Sequence, residues 1–188
     1  MPSLKLIFGP MFAGKTTELL RCIRILKIIN KEYIIISPSI DNRINEDTIV
    51  SHNSEKEQCI KLNSLSDIYE NDFYKSNCNN IDTIFIDEGQ FFSDLKDITI
   101  QLLEKENKNI VISGLIGDYN RNKFGQMIDL IPYGAEIIQL TSLCLYCMDG
   151  TPAYFSHRKD LSDEQIHIGS NDIYVSLCRK HYLESCNK

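Results

Sequence analysis

Leu4-Lys5-Leu6-Ile7-Phe8-Gly9-Pro10-Met11-Phe12-Ala13-Gly14-Lys15-Thr16-Thr17-Glu18-Leu19-Leu20 is the stretch that decides the fold. The apolar run Leu4 to Phe8 stops at Gly9 and reads as a buried strand. From Thr16 to Ile29 apolar residues return at helical spacing, with Leu19, Leu20, Ile23 and Leu26 in one stripe. Between strand and helix, Gly9 to Thr16 matches the whole pattern GxxxxGK(S/T) in the position its mechanics require. Glycines let the backbone curl around phosphate oxygens, while successive N–H groups and the positive end of the helix face the anion. Lys15 adds a point charge for the β- and γ-phosphates, and the Thr16 hydroxyl can ligate magnesium. The loop predicts binding of a nucleoside triphosphate by Gly9, Pro10, Met11, Phe12, Ala13, Gly14, Lys15 and Thr16.

Outward from this stretch the rhythm is strand, helix, strand, which predicts an α/β fold with a parallel sheet. Tyr33 to Ile36 is a second strand, ending at Ser37-Pro38, and Thr83 to Ile86 a third, ending at Asp87-Glu88. Ser93 and Asp94 can cap a helix reaching about Lys105, and Asn109 to Ser113 reads as another buried strand. A polar loop, Gly114 to Phe124, and a short helix lead to Glu136 to Leu140, expected as the last core strand. Composition changes at Thr141, so the chain divides into a P-loop domain, 1–140, and a Cys, His and Tyr-rich module, 141–188. A phosphate loop needs an acid at the end of a neighbouring strand to hold the hydrated metal, a role Asp87 suits. Glu88 follows at the carboxyl end of the strand, where open α/β sheets bind ligands, and can serve as the base that a kinase needs at a hydroxyl nucleophile.

The 188 residues, 43% of them hydrophobic, suffice for one buried core with a small accessory module. Twenty basic against 26 acidic residues, net −6, disfavour a broad nucleic-acid or anionic-membrane footprint and favour a small chelated substrate. The opening Met1-Pro2-Ser3-Leu4-Lys5 lacks a signal-peptide pattern and no stretch has membrane-spanning length, which predicts a cytoplasmic protein. In a reducing compartment the seven cysteines point to metal more than to disulfides. Cys144-Leu145-Tyr146-Cys147 and Cys178-Arg179-Lys180-His181 each have two intervening residues, so each pair can grip one side of a tetrahedral zinc. Four protein ligands leave no open position, which predicts a structural metal stapling the segment from Met148 to Leu177. Cys186 competes with His181 for the fourth position, and Cys22, Cys59 and Cys78 read as free thiols.

Taken in order, GPMFAGKTTEL from Gly9, DNR from Asp41, DEGQFF from Asp87, GLIGDYNRNKFG from Gly114, CLYC from Cys144, AYFSHR from Ala153, IGSNDIY from Ile168 and CRKH from Cys178 resemble the type II thymidine kinases of animals, bacteria and poxviruses. The likeness runs over nearly the whole chain. It implies a P-loop NTPase-like parallel sheet flanked by helices, with a small zinc-binding lasso domain. The implied reaction is transfer of the γ-phosphoryl group of ATP to the 5′-hydroxyl of thymidine, or less specifically deoxyuridine. By this resemblance Glu88 is the base, and Lys15, Thr16 and Asp87 serve triphosphate and magnesium. Asp41 and Arg43 match a phosphate-side acid and base pair, and Gln90 falls on the phosphate side in DEGQFF. Met11, Phe91, Leu115, Tyr119 and Phe124 match walls of the nucleoside pocket, where a thymine ring gains from desolvation and stacking. A lasso of roughly Thr151 to Ile173 would bring Phe155, Ser156, Ile168, Gly169 and Tyr174 to the nucleoside, with Arg158 alongside, and His157 and His167 facing solvent. The family also implies a homotetramer and feedback inhibition by thymidine triphosphate (dTTP). Many relatives carry an acid at Ile116, a second glycine at Ser170 and a fourth cysteine at His181.

Two rival functions fit parts of the pattern. A P-loop ATPase whose zinc ribbon grips DNA or a protein conflicts with the acidic charge and with the lack of an aromatic and basic stripe in Met148 to Leu177. A nonenzymatic zinc-stapled module would leave Lys15 and Asp87 idle.

Overall fold

The computed structural model describes residues 1–41, 47–50, 55–159 and 173–186. The chain builds β1 (Leu4–Phe8), α1 (Lys15–Ile28), β2 (Tyr33–Pro38), β3 (Thr48–Val50), β4 (Lys56–Gln58), β5 (Ile60–Leu62), α2 (Asp72–Asn77), β6 (Thr83–Ile86), α3 (Leu95–Ile100), β7 (Asn109–Gly114) and β8 (Glu136–Gln139). Six of the strands form one parallel sheet in the order β5-β2-β6-β7-β1-β8. Alternation along each strand decides what covers the sheet. In β6, Ile84 and Ile86 join Leu6, Ile112, Leu102 and Leu130 on one face, whereas Phe85 joins Leu19, Leu20 and Ile23 of α1 on the other. Both faces are apolar, as a parallel sheet with helices on each side requires.

Four expectations change. The Glu136 strand pairs with β1 at the rim of the sheet, with Glu136, Ile137 and Gln139 exposed, so it is an edge strand outside the core. Asp87 does not end a strand adjacent to β1, because β7 lies between them. Asp94 sits at the start of α3 without capping it; its carboxylate instead accepts from the Ser64 hydroxyl and the Leu65 and Ser66 amides, anchoring the short 3-10 helix Leu65–Glu70. The sheet also extends beyond β2 through β5, preceded by the β3–β4 hairpin; these strands of three residues are too short for a period to announce them.

The remaining chain forms β9 (Ser142–Leu143), β10 (Pro152–Ala153), β11 (Phe155–Arg158), β12 (Tyr174–Leu177) and α4 (Arg179–Cys186). β9 pairs with β10 and β11 with β12, both antiparallel, around a small core of Cys144, Ala153, Val175, Leu177, Cys178 and Tyr182. Among the described residues no helix is long and apolar enough to cross a membrane.

Candidate active site and metal centre

Gly14 begins the site. Its φ of +82° is left-handed, a conformation that costs glycine little, and it delivers the chain into α1 with no side chain capping the first turn. No side-chain cap covers the first amides of that helix, an arrangement that suits an anion. Lys15 is buried and its Nζ donates to the Pro10 carbonyl at 2.9 Å, so the ammonium lies over its own loop. Thr16 Oγ1 donates to Asp87 Oδ2 at 3.3 Å, and Ser113 of β7 donates to the other Asp87 oxygen. The intervening strand therefore does not separate the phosphate loop from its acid. It supplies the hydroxyl that orients that acid.

Glu88 follows Asp87 with a φ of +51°, unusual for a residue with a side chain, and such strain persists only where the surroundings over-determine it. Gln90, only 4% exposed, provides part of that restraint: its Nε2 donates to Glu88 Oε2 at 2.6 Å and its Oε1 accepts from the Leu115 amide at 2.9 Å. A Cβ on Gly114 would lie 2.4 Å from Gln90 Oε1, so the glycine makes room for this bridge. Gln90 thus ties the candidate base to the segment expected to wall the nucleoside. In that wall Phe91 and Phe124 meet edge to face, ring centroids 5.6 Å apart, and the Arg158 guanidinium lies 3.8 Å from the Tyr119 ring centroid. Ile116 packs partly buried against the sheet core, which accounts for an apolar residue at that position.

Met11 touches the lobe. Its N–H donates to Ser156 Oγ at 2.9 Å, and its carbonyl accepts from the Ser176 hydroxyl. Phe155 stacks at a tilt on Tyr182, centroids 4.9 Å apart, and buried Tyr174 pairs with Arg158 across β11 and β12. His157, expected in solvent, is half-buried edge-on against Tyr182, and burial pushes its pKa down. Asp41 lies beyond β2, where its carbonyl accepts from Lys61 Nζ at 3.2 Å. Arg43, His167, Ile168, Gly169 and Ser170 lie outside the described residues. Three site residues had no sequence signal: Ser113, Ser176 and Tyr182, whose hydroxyl donates to the Tyr119 carbonyl at 2.6 Å. A single Ser or Tyr in an apolar strand or helix carries no motif.

Cys144, Cys147, Cys178 and His181 converge with their ligand atoms within 4.8 Å of one another, and Cys186 is exposed and outside this cluster. Cys147 and Cys178 sulfurs are 3.8 Å apart, and His181 Nδ1 lies 3.3 to 3.5 Å from the three sulfurs. A tetrahedral zinc with ordinary bond lengths sets these edges at about 3.8 Å and about 3.6 Å, so the donor set fits that ion. Burial opposes the Cys144 thiolate, yet hydrogen bonds from the Cys178 and Cys147 backbone and from His181 outweigh it and bring its pKa down to about 6. Metal ligation needs that thiolate form. His181 uses Nδ1 toward the sulfurs, which leaves Nε2 facing away from the cluster, 4.0 Å from Glu184.

A family model described as thymidine kinase matches residues 2–182. The chain is 38% identical over 182 residues to a rice thymidine kinase, covering 96% of this chain and 66% of the rice protein. A thymidine kinase of Choristoneura fumiferana entomopoxvirus is 38% identical over 194 residues, covering 97% of each chain. One from vaccinia virus, strain Western Reserve, is 34% identical over 182 residues, again covering 97% of each. Similarity that spans the chain from β1 into α4 takes in both the phosphate-loop sheet and the thiol cluster, and the chain accordingly belongs to the thymidine kinase family.

Proposed function

We propose that the protein transfers the γ-phosphoryl group of ATP to the 5′-hydroxyl of thymidine, with Glu88 as the base. The observation that carries this reading is the joining of a donor half and an acceptor half at the carboxyl end of the sheet. Thr16 bonds Asp87, the adjacent Glu88 bonds Gln90, and Gln90 bonds Leu115. The Glu88 carboxylate takes the 5′-hydroxyl proton, the nucleoside oxygen bonds to Pγ, and the bond from Pγ to the bridging oxygen breaks, releasing ADP. Lys15 and the amides after Gly14 would hold the phosphates, and Thr16 and Asp87 would hold magnesium, which would supply charge neutralisation. Asp41 and Arg43 complete the phosphate side. Met11, Phe91, Leu115, Tyr119 and Phe124 wall the nucleoside, with Phe155, Ser156, Ile168, Gly169, Tyr174 and Arg158 from the lasso over it. Zinc on Cys144, Cys147, Cys178 and His181 would be structural, closed by four protein ligands.

The reading extends to a cytoplasmic homotetramer. Thiol ligands suit a reducing compartment, and Ile25, Ile28 and Ile29 offer exposed apolar surface at one end of α1. Thymidine triphosphate carries both the nucleoside of the acceptor and the phosphates of the donor, so one molecule spanning both halves would inhibit. The test is a nucleoside panel assayed for phosphate transfer from ATP, with Glu88→Gln and Lys15→Ala. Thymidine-dependent ADP release that Glu88→Gln lowers by about a thousandfold, with ATP binding retained, is expected. Undiminished turnover in Glu88→Gln would remove Glu88 as base, and ATP consumption indifferent to nucleosides would remove the reaction.

A further inference from the structure

Ser176 is a buried hydroxyl in an apolar strand: its neighbours Val175 and Leu177 face the core of the lobe, and Ser176 itself is 3% exposed. A buried hydroxyl must find a partner, and this one finds the phosphate loop. Ser156 and Ser176 stand opposite each other across β11 and β12, and between them they satisfy both backbone groups of Met11. Ser156 accepts its N–H, and Ser176 donates to its carbonyl. The next residue, Phe12, has a φ of +61°, which a side chain disfavours, so the loop needs an external hold at this point. The Ser176 carbonyl in turn accepts from the Leu145 amide at 3.1 Å, inside the Cys144 to Cys147 turn. One residue therefore connects the thiol cluster to the peptide that opens the phosphate cradle.

We propose that Ser156 and Ser176 are positioning residues for the phosphate loop, through which the zinc-ligand lobe sets the shape of the donor site. The proposal rests on the reading of Gly9 to Thr16 as a triphosphate cradle. It gives the lobe a task on the ATP side in addition to covering the nucleoside. The nucleoside walls at Phe91, Leu115 and Phe124 have their own supports in Gln90 and in the aromatic pair, and the clamp holds only the main chain of Met11, whose side chain belongs to the nucleoside wall, so loss of the clamp falls mainly on ATP.

The experiment measures magnesium–ATP and thymidine binding separately by calorimetry on zinc-loaded protein, for the natural sequence, Ser176→Ala and Ser176→Thr. Ser176→Ala is expected to weaken ATP about tenfold, the effect of one lost hydrogen bond in a buried site, and to change thymidine less than about twofold. Ser176→Thr, which restores the hydroxyl, should recover ATP binding. Unchanged ATP affinity in Ser176→Ala, or thymidine weakened as much as ATP, would overturn the proposal. Should Ser176→Ala fail to fold, Ser176→Cys, close in size but only a weak donor, is read by the same two affinities. Natural protein that binds thymidine but no ATP would defeat the cradle reading itself, a result distinct from failure of the clamp.

Discussion

The sheet and the thiol-rich lobe hold their functional residues in opposite ways. In the sheet, central strands buried on both faces place Asp87, Glu88 and Ser113 at their carboxyl ends, with helices and apolar side chains packed on each face. Among its described residues the lobe buries Cys144, Ala153, Val175, Leu177, Cys178 and Tyr182 as a core, two of them ligand cysteines. A cluster of this size offers little to offset the entropy of ordering its segments, and the thiol and imidazole donors beside it are where a bound metal would add stability. The lesson is that the sheet and the lobe, which both reach the same site, have separate sources of stability, and perturbations should tell them apart.

The largest effect is expected from breaking the lobe. Cys178→Ser, or chelation, should remove zinc, loosen β9 to β12 and lower thymidine phosphorylation more than about a hundredfold, while the far-UV signal of the sheet persists. Metal content and circular dichroism check this, and full activity in zinc-free protein would end the contrast. Ile84→Ala attacks the other half: a fully buried strand residue lost from the centre of the sheet should cost about 2–5 kcal/mol in urea unfolding, with zinc content unchanged. Gln90→Ala probes the seam. If Gln90 positions Glu88, kcat falls roughly tenfold to a hundredfold with little change in KM for ATP, whereas a phosphate contact would raise that KM.

The smallest effect is a pH edge confined to the sheet domain. Tyr69 and Tyr74 both donate to Glu106, and burial first, then this hydrogen bond, raises both phenol pKa values. Above the unfolded value, about 10, the unfolded chain releases protons that the folded chain keeps, so stability is complete below that pH and falls as pH rises. Urea midpoints at pH 9 and pH 11 should diverge in the natural protein and converge in Tyr69→Phe/Tyr74→Phe. The lobe should fail at the opposite end, since metal ligation needs deprotonated ligands, and metal released on acidification while the sheet stays folded would report it.

Sequence alone determined whatever is local. The cradle from Gly9 to Thr16, the helical stripe of α1, the Asp87-Glu88 pair and the two ligand pairs are each encoded within a few neighbouring residues, so spacing and chemistry reveal them. Tertiary structure decided what depends on residues far apart in the chain. It inserted β7 between the phosphate loop and Asp87, made β8 an edge, and took Asp94 from its own helix to the turn at Ser64. It also turned Gln90 toward Glu88 and brought Ser156 and Ser176 to Met11, contacts spanning 145 and 165 residues. The physical reason is that a hydroxyl or amide buried in a strand takes whichever partner the packed fold presents, and neither a period nor a motif records that choice.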